Sequence, residues 1–451
     1  MMTRVFTALV WFAAGAALAV AHTQEVPPPR ELALSLRQAV DLATAPDGNT
    51  RVALAVELVE QARSQTNQSR AAFLPQVDGS VSRQSIVRNL EAFGIRLDSP
   101  PIPGFAFPSI VGPFDVFDAR LTATQMIFDW SAIQRYRSAK LQSSAARQQE
   151  HGTREEVSAQ VARAYVVMLR AQEQVDTARA DVELAEALVK LAANRKDAGT
   201  GTGIEVTRAQ VQLANERQKL LVRENERRSA RLQLSRLMGV ALSTELRLTT
   251  PLQPAEAQAA EVEPTLAEAL EHRSDWKAQQ QREEALRRAD GSVKSERLPS
   301  LSGFGDYGSI GSHASSAVPT RTFGVALKVP IFDGGRREAR RGESFSRLRQ
   351  EEIRGRDLRQ QIELELRLAF DSLNSSVSQV EAAESGLSLA QQEQEQARRR
   401  YEAGVGSSIE ITDAQTRLAR ARQNRTDALV LYNLARIDWG EARGRIDTVI
   451  P

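Results

Sequence analysis

The chain has no cysteine among its 451 residues and only four histidines. Without thiols there is no disulfide framework and no N-terminal cysteine for a lipid anchor. His22, His151, His272 and His313 are scattered without ligand spacing, which argues against a dedicated metal or cofactor site. Aromatic residues are 5% of the chain, and 59 basic residues nearly balance 57 acidic ones. Too few stacking side chains and no dominant basic patch exclude nucleic acid as the implied partner.

Catalytic signatures are missing as well. No Gly-x-Ser-x-Gly appears, and paired carboxylates on charged helices are too common to mark an active site. Gly199, Gly201 and Gly203 invite a phosphate-loop reading, but no strand precedes them and no Gly-Lys-Ser/Thr follows. The chain reads as a non-enzyme. Beyond the N-terminus no stretch approaches the ~18 consecutive apolar residues of a transmembrane helix, so membrane residence has to come from strands.

At the N-terminus, Arg4 followed by the apolar Val5 to Val20 and by Ala19-Val20-Ala21 predicts a secretory signal over residues 1–21. The rest is written twice. Ala198 to Gln210 reads AGTGTGIEVTRAQ, and Ala403 to Gln415, 205 residues later (403 − 198), reads AGVGSSIEITDAQ, identical at eight of thirteen positions. Phe73-Leu-Pro75 is echoed by Arg297-Leu-Pro299, and Phe128-Asp129 by Phe332-Asp333, in the same order. A tandem duplication accounts for this. The expected segments are a first repeat over 22–239, a connector over 240–263, a second repeat over 264–443 and a tail over 444–451.

Each repeat carries the same plan. After the Pro27 to Pro29 lead-in, a short helix near Leu34 to Ala43 and a longer one over 51–72 end at Leu74-Pro75. The period then changes to two, predicting strands over 76–88 and 117–128 around a proline-rich loop. Residues 131–197 hold no proline and one glycine, Gly152, so one helix of about 100 Å is expected, seamed by Val161, Tyr165, Met168, Val175, Val182 and Leu188. A glycine turn reverses the chain into a helix over 204–238, completing a hairpin over 131–238. The second repeat predicts strands over 300–309 and 321–331, joined by a loop near Gly311 to Thr320, then a hairpin over 334–442. Helices 51–72 and 204–238 together come near the length of the long one, so they can stack end to end beside it. Trp130 and Trp439 read as packing anchors.

The fold class is therefore mainly α with transmembrane β, four strands per chain. Four strands cannot close a membrane barrel, so the chain has to oligomerise. A periplasmic or secreted coiled-coil adaptor without a pore is the competing reading, and the strand set argues against it.

The duplicated hairpins, the Leu-Pro leads into strands, the Phe-Asp exits and the Ala-Gly turns resemble the TolC-like outer-membrane efflux family. The resemblance covers nearly the whole mature chain. It implies a homotrimer with a twelve-strand barrel in Gram-negative outer-membrane lipid and a long α-helical barrel in the periplasm. The implied function is an exit duct for drugs, other small molecules or secreted substrates, without a cofactor. Its implied partners are a periplasmic membrane-fusion adaptor and an inner-membrane pump. By the same resemblance the periplasmic constriction falls on Glu410 and Asp413, with Tyr401 opposite Glu205, and Gly406 stands where a gate arginine is often found. The turns Ala198-Gly199-Thr200 and Ala403-Gly404-Val405 are then the adaptor-docking tips.

Overall fold

The computed structural model describes residues 31–94, 109–252, 254 and 266–450. The expected signal peptide, the Pro27 to Pro29 lead-in, the middle of the proline-rich loop and residues 253 and 255–263 of the 240–263 connector lie outside the described residues. The first half runs β1 (Glu31–Leu34), α1 (Leu36–Thr44), α2 (Thr50–Ala71), β2 (Gln76–Asn89), β3 (Ile110–Phe128), α3 (Trp130–Asp197), α4 (Gly203–Leu237) and β4 (Glu245–Leu248). The second runs α5 (Leu266–His272), α6 (Ser274–Ser295), β5 (Ser300–Gly311), β6 (Val318–Lys328), α7 (Arg336–Glu402) and α8 (Ser408–Ala442).

The strands form one antiparallel sheet in the order β2-β3-β5-β6, leaving β2 and β6 as open edges. Residues opposed across the ladder share a face. Val77, Val81, Leu121, Phe323, Val325 and Leu327 therefore line one side, and the row Asp78, Thr122, Asp306, Thr322 lines the other. Phe323, Val325 and Leu327 are 78%, 65% and 66% exposed, an apolar face with no partner among the described residues. Such a face suits hydrocarbon, and the polar one suits a water-filled lumen.

Several strand limits differ from the alternation. β3 starts at Ile110 rather than 117, because an extra residue beside Pro113 is absorbed as an irregularity opposite Ile86 and Arg88, where a missing N–H is tolerated. β5 runs to Gly311 and β6 starts at Val318, which shortens the expected loop to a tight turn around the 3₁₀ segment Ala314–Ser316. β6 stops at Lys328 rather than 331, since Ser300 is its last ladder partner and Pro330 cannot donate. Strands β1 and β4, which pair in parallel, carry no alternation long enough to read from sequence.

Aspartates turn each strand into its long helix. Asp129 Oδ1 accepts from the Ala132 N–H at 3.2 Å, and Asp333 Oδ2 accepts from the Arg337 N–H at 3.1 Å. That is the physical content of the repeated Phe-Asp: the carboxylate satisfies donors that a helix start leaves free.

The long helices set the helical wall. α3 has 68 residues and α7 has 67, each about 100 Å long. Near the sheet the order is α2-α3-α6-α7, and farther away it is α4-α3-α8-α7. The short helices stack as their lengths require, and each joint is bonded. Asn49 Nδ2 donates to the Leu237 carbonyl at 2.8 Å, joining the end of α4 to the start of α2. Arg273 Nη1 donates to the Ala442 carbonyl at 3.3 Å, joining α8 to α6. In both, the negative end of one helix dipole abuts the positive end of the next.

Along α3 the buried residues follow heptads, with Val161, Met168 and Val175 in one row and Ala171, Ala178, Ala185 and Ala192 in the other. Val182 and Leu188 are half-buried. The alanine row lets a neighbouring helix approach closely, and the strict seven-residue repeat winds the pair left-handed. The largest core lies midway, where Tyr165 and Val157 of α3 meet Leu34, Val40, Leu234, Ile437 and Ile446. Tyr165 Oη donates to the Leu34 carbonyl at 3.0 Å and accepts from the Thr250 N–H at 3.0 Å, which fixes β1 and β4 against the wall. Trp439 packs at 5.9 Å from Phe370.

Candidate functional site

The two turns farthest from the sheet have one geometry. Gly199 sits at φ +74° and Gly404 at φ +77°. The Thr200 N–H donates to the Arg195 carbonyl at 2.9 Å and Gly199 to Lys196 at 3.0 Å; Val405 donates to Arg400 at 3.0 Å and Gly404 to Tyr401 at 3.1 Å. This double bonding ends each helix with its orphan carbonyls satisfied, and it requires a left-handed residue that glycine supplies without strain. The next helix then starts at once. Thr202 N–H donates to Glu205 Oε2 at 3.4 Å, and Ser407 Oγ accepts from the Glu410 N–H at 3.2 Å.

Just above the turns the hairpins touch. Tyr401 is 3% exposed and shares a small cavity with Glu205, Ile411 and Thr412. The Arg195 guanidinium lies 4.4 Å from the centre of the Tyr401 ring and donates from Nη1 to the Tyr401 carbonyl at 3.0 Å. Cation and aromatic face thus tie the end of α3 to the end of α7. Glu410 pairs with Arg400 at 2.9 Å, whereas Asp413, one turn on, is exposed and has no ion pair among the described residues. Arg417, the cation closest in sequence to both acids, instead pairs with Glu393 at 2.8 Å.

A second charged group stands on the polar face of the sheet. Arg120 is held by Asp118 at 3.3 Å and by Asp306, and its Nη2 donates to Thr320 Oγ1 at 3.3 Å, linking β3, β5 and β6. No cluster of three or more metal-ligating side chains occurs among the described residues. His151 and His272, far apart in sequence, line one cavity with Glu155, and His151 Nδ1 lies 2.8 Å from Ser274 Oγ. Burial pushes the Glu155 carboxyl up.

The model of the family described as outer membrane efflux protein matches residues 45–240 and 265–438, covering the first hairpin, all but the last few residues of the second and all four sheet strands. The chain belongs to this family. The Pseudomonas aeruginosa pyoverdine export outer membrane protein OpmQ is 29% identical over 400 residues, 85% of this chain and 79% of OpmQ. The alkaline protease secretion protein AprF of the same organism is 25% identical over 352 residues, 73% of this chain and 69% of AprF. In fold, the Campylobacter jejuni CmeC outer membrane channel superposes with a TM-score of 0.78 at 19% identity, covering 91% of this chain and 86% of CmeC.

This efflux protein is accordingly a non-enzymatic transport channel of the Gram-negative outer membrane, an exit duct with a long periplasmic helical barrel. Channels of the family are trimeric and act within tripartite export systems. Of the residues singled out from sequence, the efflux protein brings Tyr401, Glu205 and the first turn of α8 together, and it puts both glycine turns at one end. Two arginines escaped that reading. Arg195 and Arg400 are themselves 205 residues apart (400 − 195), as are Glu205 and Glu410 (410 − 205), so the repeat offset was the signal that could have found them.

Proposed function

We propose that three copies close head to tail, the β2, α2 and α4 edge of one meeting the β6 and α7 edge of the next. The observation that carries this reading is that the unpaired strands and the unpaired helices lie on the same two sides of the protomer. Both edges also expose apolar side chains: Leu54, Leu58, Val211 and Leu221 on one, Phe345, Ile353, Leu364 and Leu368 on the other. Three such walls supply twelve strands and a continuous helical tube, leaving no edge in hydrocarbon.

In this assembly Asp413 and Glu410 form two stacked acidic rings at the periplasmic end, beside the Tyr401 and Glu205 contact. Arg400 neutralises much of the Glu410 ring, so Asp413 dominates cation attraction. The turns Ala198 to Thr200 and Ala403 to Val405 dock a periplasmic adaptor, which couples the duct to an inner-membrane pump. Relatives named for pyoverdine export and for alkaline protease secretion support small molecules or secreted substrates as cargo. Planar-bilayer recording tests the rings. The channel should be cation-selective and blocked by multivalent cations from the periplasmic side, with Asp413→Ala reducing both more than Glu410→Ala does. Unchanged selectivity and block in the double variant place the constriction elsewhere.

A further inference from the structure

On the apolar face of the sheet one cation stands without a counter-charge. Arg321 shares that face with Phe323, Val325 and Leu327, is exposed, and makes no hydrogen bond or ion pair among the described residues. Directly opposite it on β5 is Tyr307, which is 63% exposed and whose hydroxyl makes no hydrogen bond among the described residues. The other β-hairpin repeats this arrangement. Seven rungs on from the first pairs, Gln76 with Thr124 and Ser300 with Lys328, each ladder sets an arginine opposite an aromatic ring: Arg83 with Phe117 (83 − 76) and Tyr307 with Arg321 (307 − 300). The two differ in charge. Arg83 is neutralised by Asp115 at 2.6 Å, and Arg321 is not neutralised by any described residue.

Depth decides what such a pair meets. Seven residues of strand from Lys328 span about 23 Å, or about 18 Å of height at a tilt of ~40°, within an apolar band about 25 Å tall whose two limits are marked by aromatic rings. The rung of Phe117 and Tyr307 is therefore the limit away from the periplasmic helices, at the head groups of the outer leaflet. That leaflet is built from phosphorylated glycolipid. A guanidinium fork takes two oxygens of one phosphate, and an aromatic face carrying a hydroxyl suits a sugar ring. We propose that Arg321 and Tyr307 hold the phosphorylated sugar head group of an outer-leaflet glycolipid, with the guanidinium on a phosphate monoester, the tyrosine on the sugar, and an acyl chain along Phe323 and Val325. Both head-group residues belong to one β-hairpin, so the site needs the hydrocarbon-facing sheet and not the closure of three copies. Arg83, already met by Asp115, provides no second one.

Native mass spectrometry of the detergent-solubilised full chain, titrated with defined lipids, reads this directly. The chain should retain lipid A bearing both phosphates, and should retain dephosphorylated lipid A and phosphatidylglycerol at least about tenfold less, the worth of one charge-assisted hydrogen bond. Arg321→Gln should lower lipid A retention by the same factor. Arg321→Lys should lower it less, since an ammonium keeps the charge and loses the fork. Arg83→Gln with Asp115→Asn, which removes the paired charges at the equivalent rung, should change nothing. The proposal is overturned if dephosphorylated lipid A or phosphatidylglycerol is held as tightly as lipid A, if Arg321→Gln retains lipid A normally, or if the Arg83 and Asp115 pair of changes lowers retention as much as Arg321→Gln does.

Discussion

Replacing both turn glycines, Gly199→Val with Gly404→Val, separates docking from assembly. An added Cβ at either position meets nothing within 4 Å, so the perturbation is backbone strain and not a clash. Holding an L-residue at φ near +75° costs roughly 1–2 kcal/mol, with a β-branched side chain at the upper end. If the turn relaxes instead, it forfeits two of its closing hydrogen bonds, about 0.5–1.5 kcal/mol each. Either route distorts the tip by an energy comparable to one good interfacial contact. The sheet lies about 100 Å away along α3 and α7, with the central core between. Trimer formation and membrane insertion should therefore be intact while adaptor cross-linking and export in cells both fall. Gly199→Ala with Gly404→Ala should fall less. Normal cross-linking and export in the valine pair refute the docking role, and loss of the trimer reassigns the turns to folding.

Three further outcomes follow from packing and charge. Asn49→Ala removes both the helix cap on Arg51 and the bond across the α4 to α2 joint, and should cost about 1–2 kcal/mol in thermal or denaturant unfolding. Val325→Lys places a charge on the apolar sheet face at about 2–4 kcal/mol, whereas Thr322→Lys on the polar face should insert normally, as heat-modifiable gel migration can report. Burial holds the Glu441 carboxyl above its ordinary range despite its ion pair to Arg163, with Asp438 and Glu156 adding to the rise. A carboxyl raised by folding favours the fold below its unfolded pKa and loses that contribution as pH rises through the folded value. Glu441→Gln should therefore melt higher than the native chain at pH 7, with the gap closing in acid; a gap independent of pH refutes the assignment.

Helices were the most legible part of the chain. Absence of proline over 131–197 and the seven-residue rows from Val161 onward leave one long rod as the sole arrangement that buries them, and α3 starts and ends within a residue of the expected span. Strands were less so at their ends. β3 continues through Pro113, which local rules treat as a break, because an irregularity in the ladder removes the need for its N–H. β1 and β4 have four residues each, pair with one another, and are tied to the helical wall by Tyr165, which lies 131 residues from Leu34 and 85 from Thr250. Local sequence carries no trace of that. At the tips, glycine turns were readable from their duplication, but side-chain partners were not: Arg417 lies one turn from Asp413 on α8 yet reaches across to Glu393 on α7. Pairing between antiparallel helices depends on their rotation, which heptads fix only after the hairpin has formed.

A ring of three copies closed edge to edge is directly measurable because the chain has no native cysteine. Cysteine pairs placed on β2 and β6, scanned as Ser80 or Ser82 against Thr320 or Thr322, should cross-link through a short bifunctional thiol reagent in outer-membrane preparations. Because these positions occupy opposite edges of one sheet, only a neighbouring copy can bridge them. The expected product is a ladder that ends at a covalent trimer, with neither single-cysteine parent forming more than background. Cross-linking that stops at dimers, continues past three copies, or occurs equally in a single-cysteine parent would contradict it.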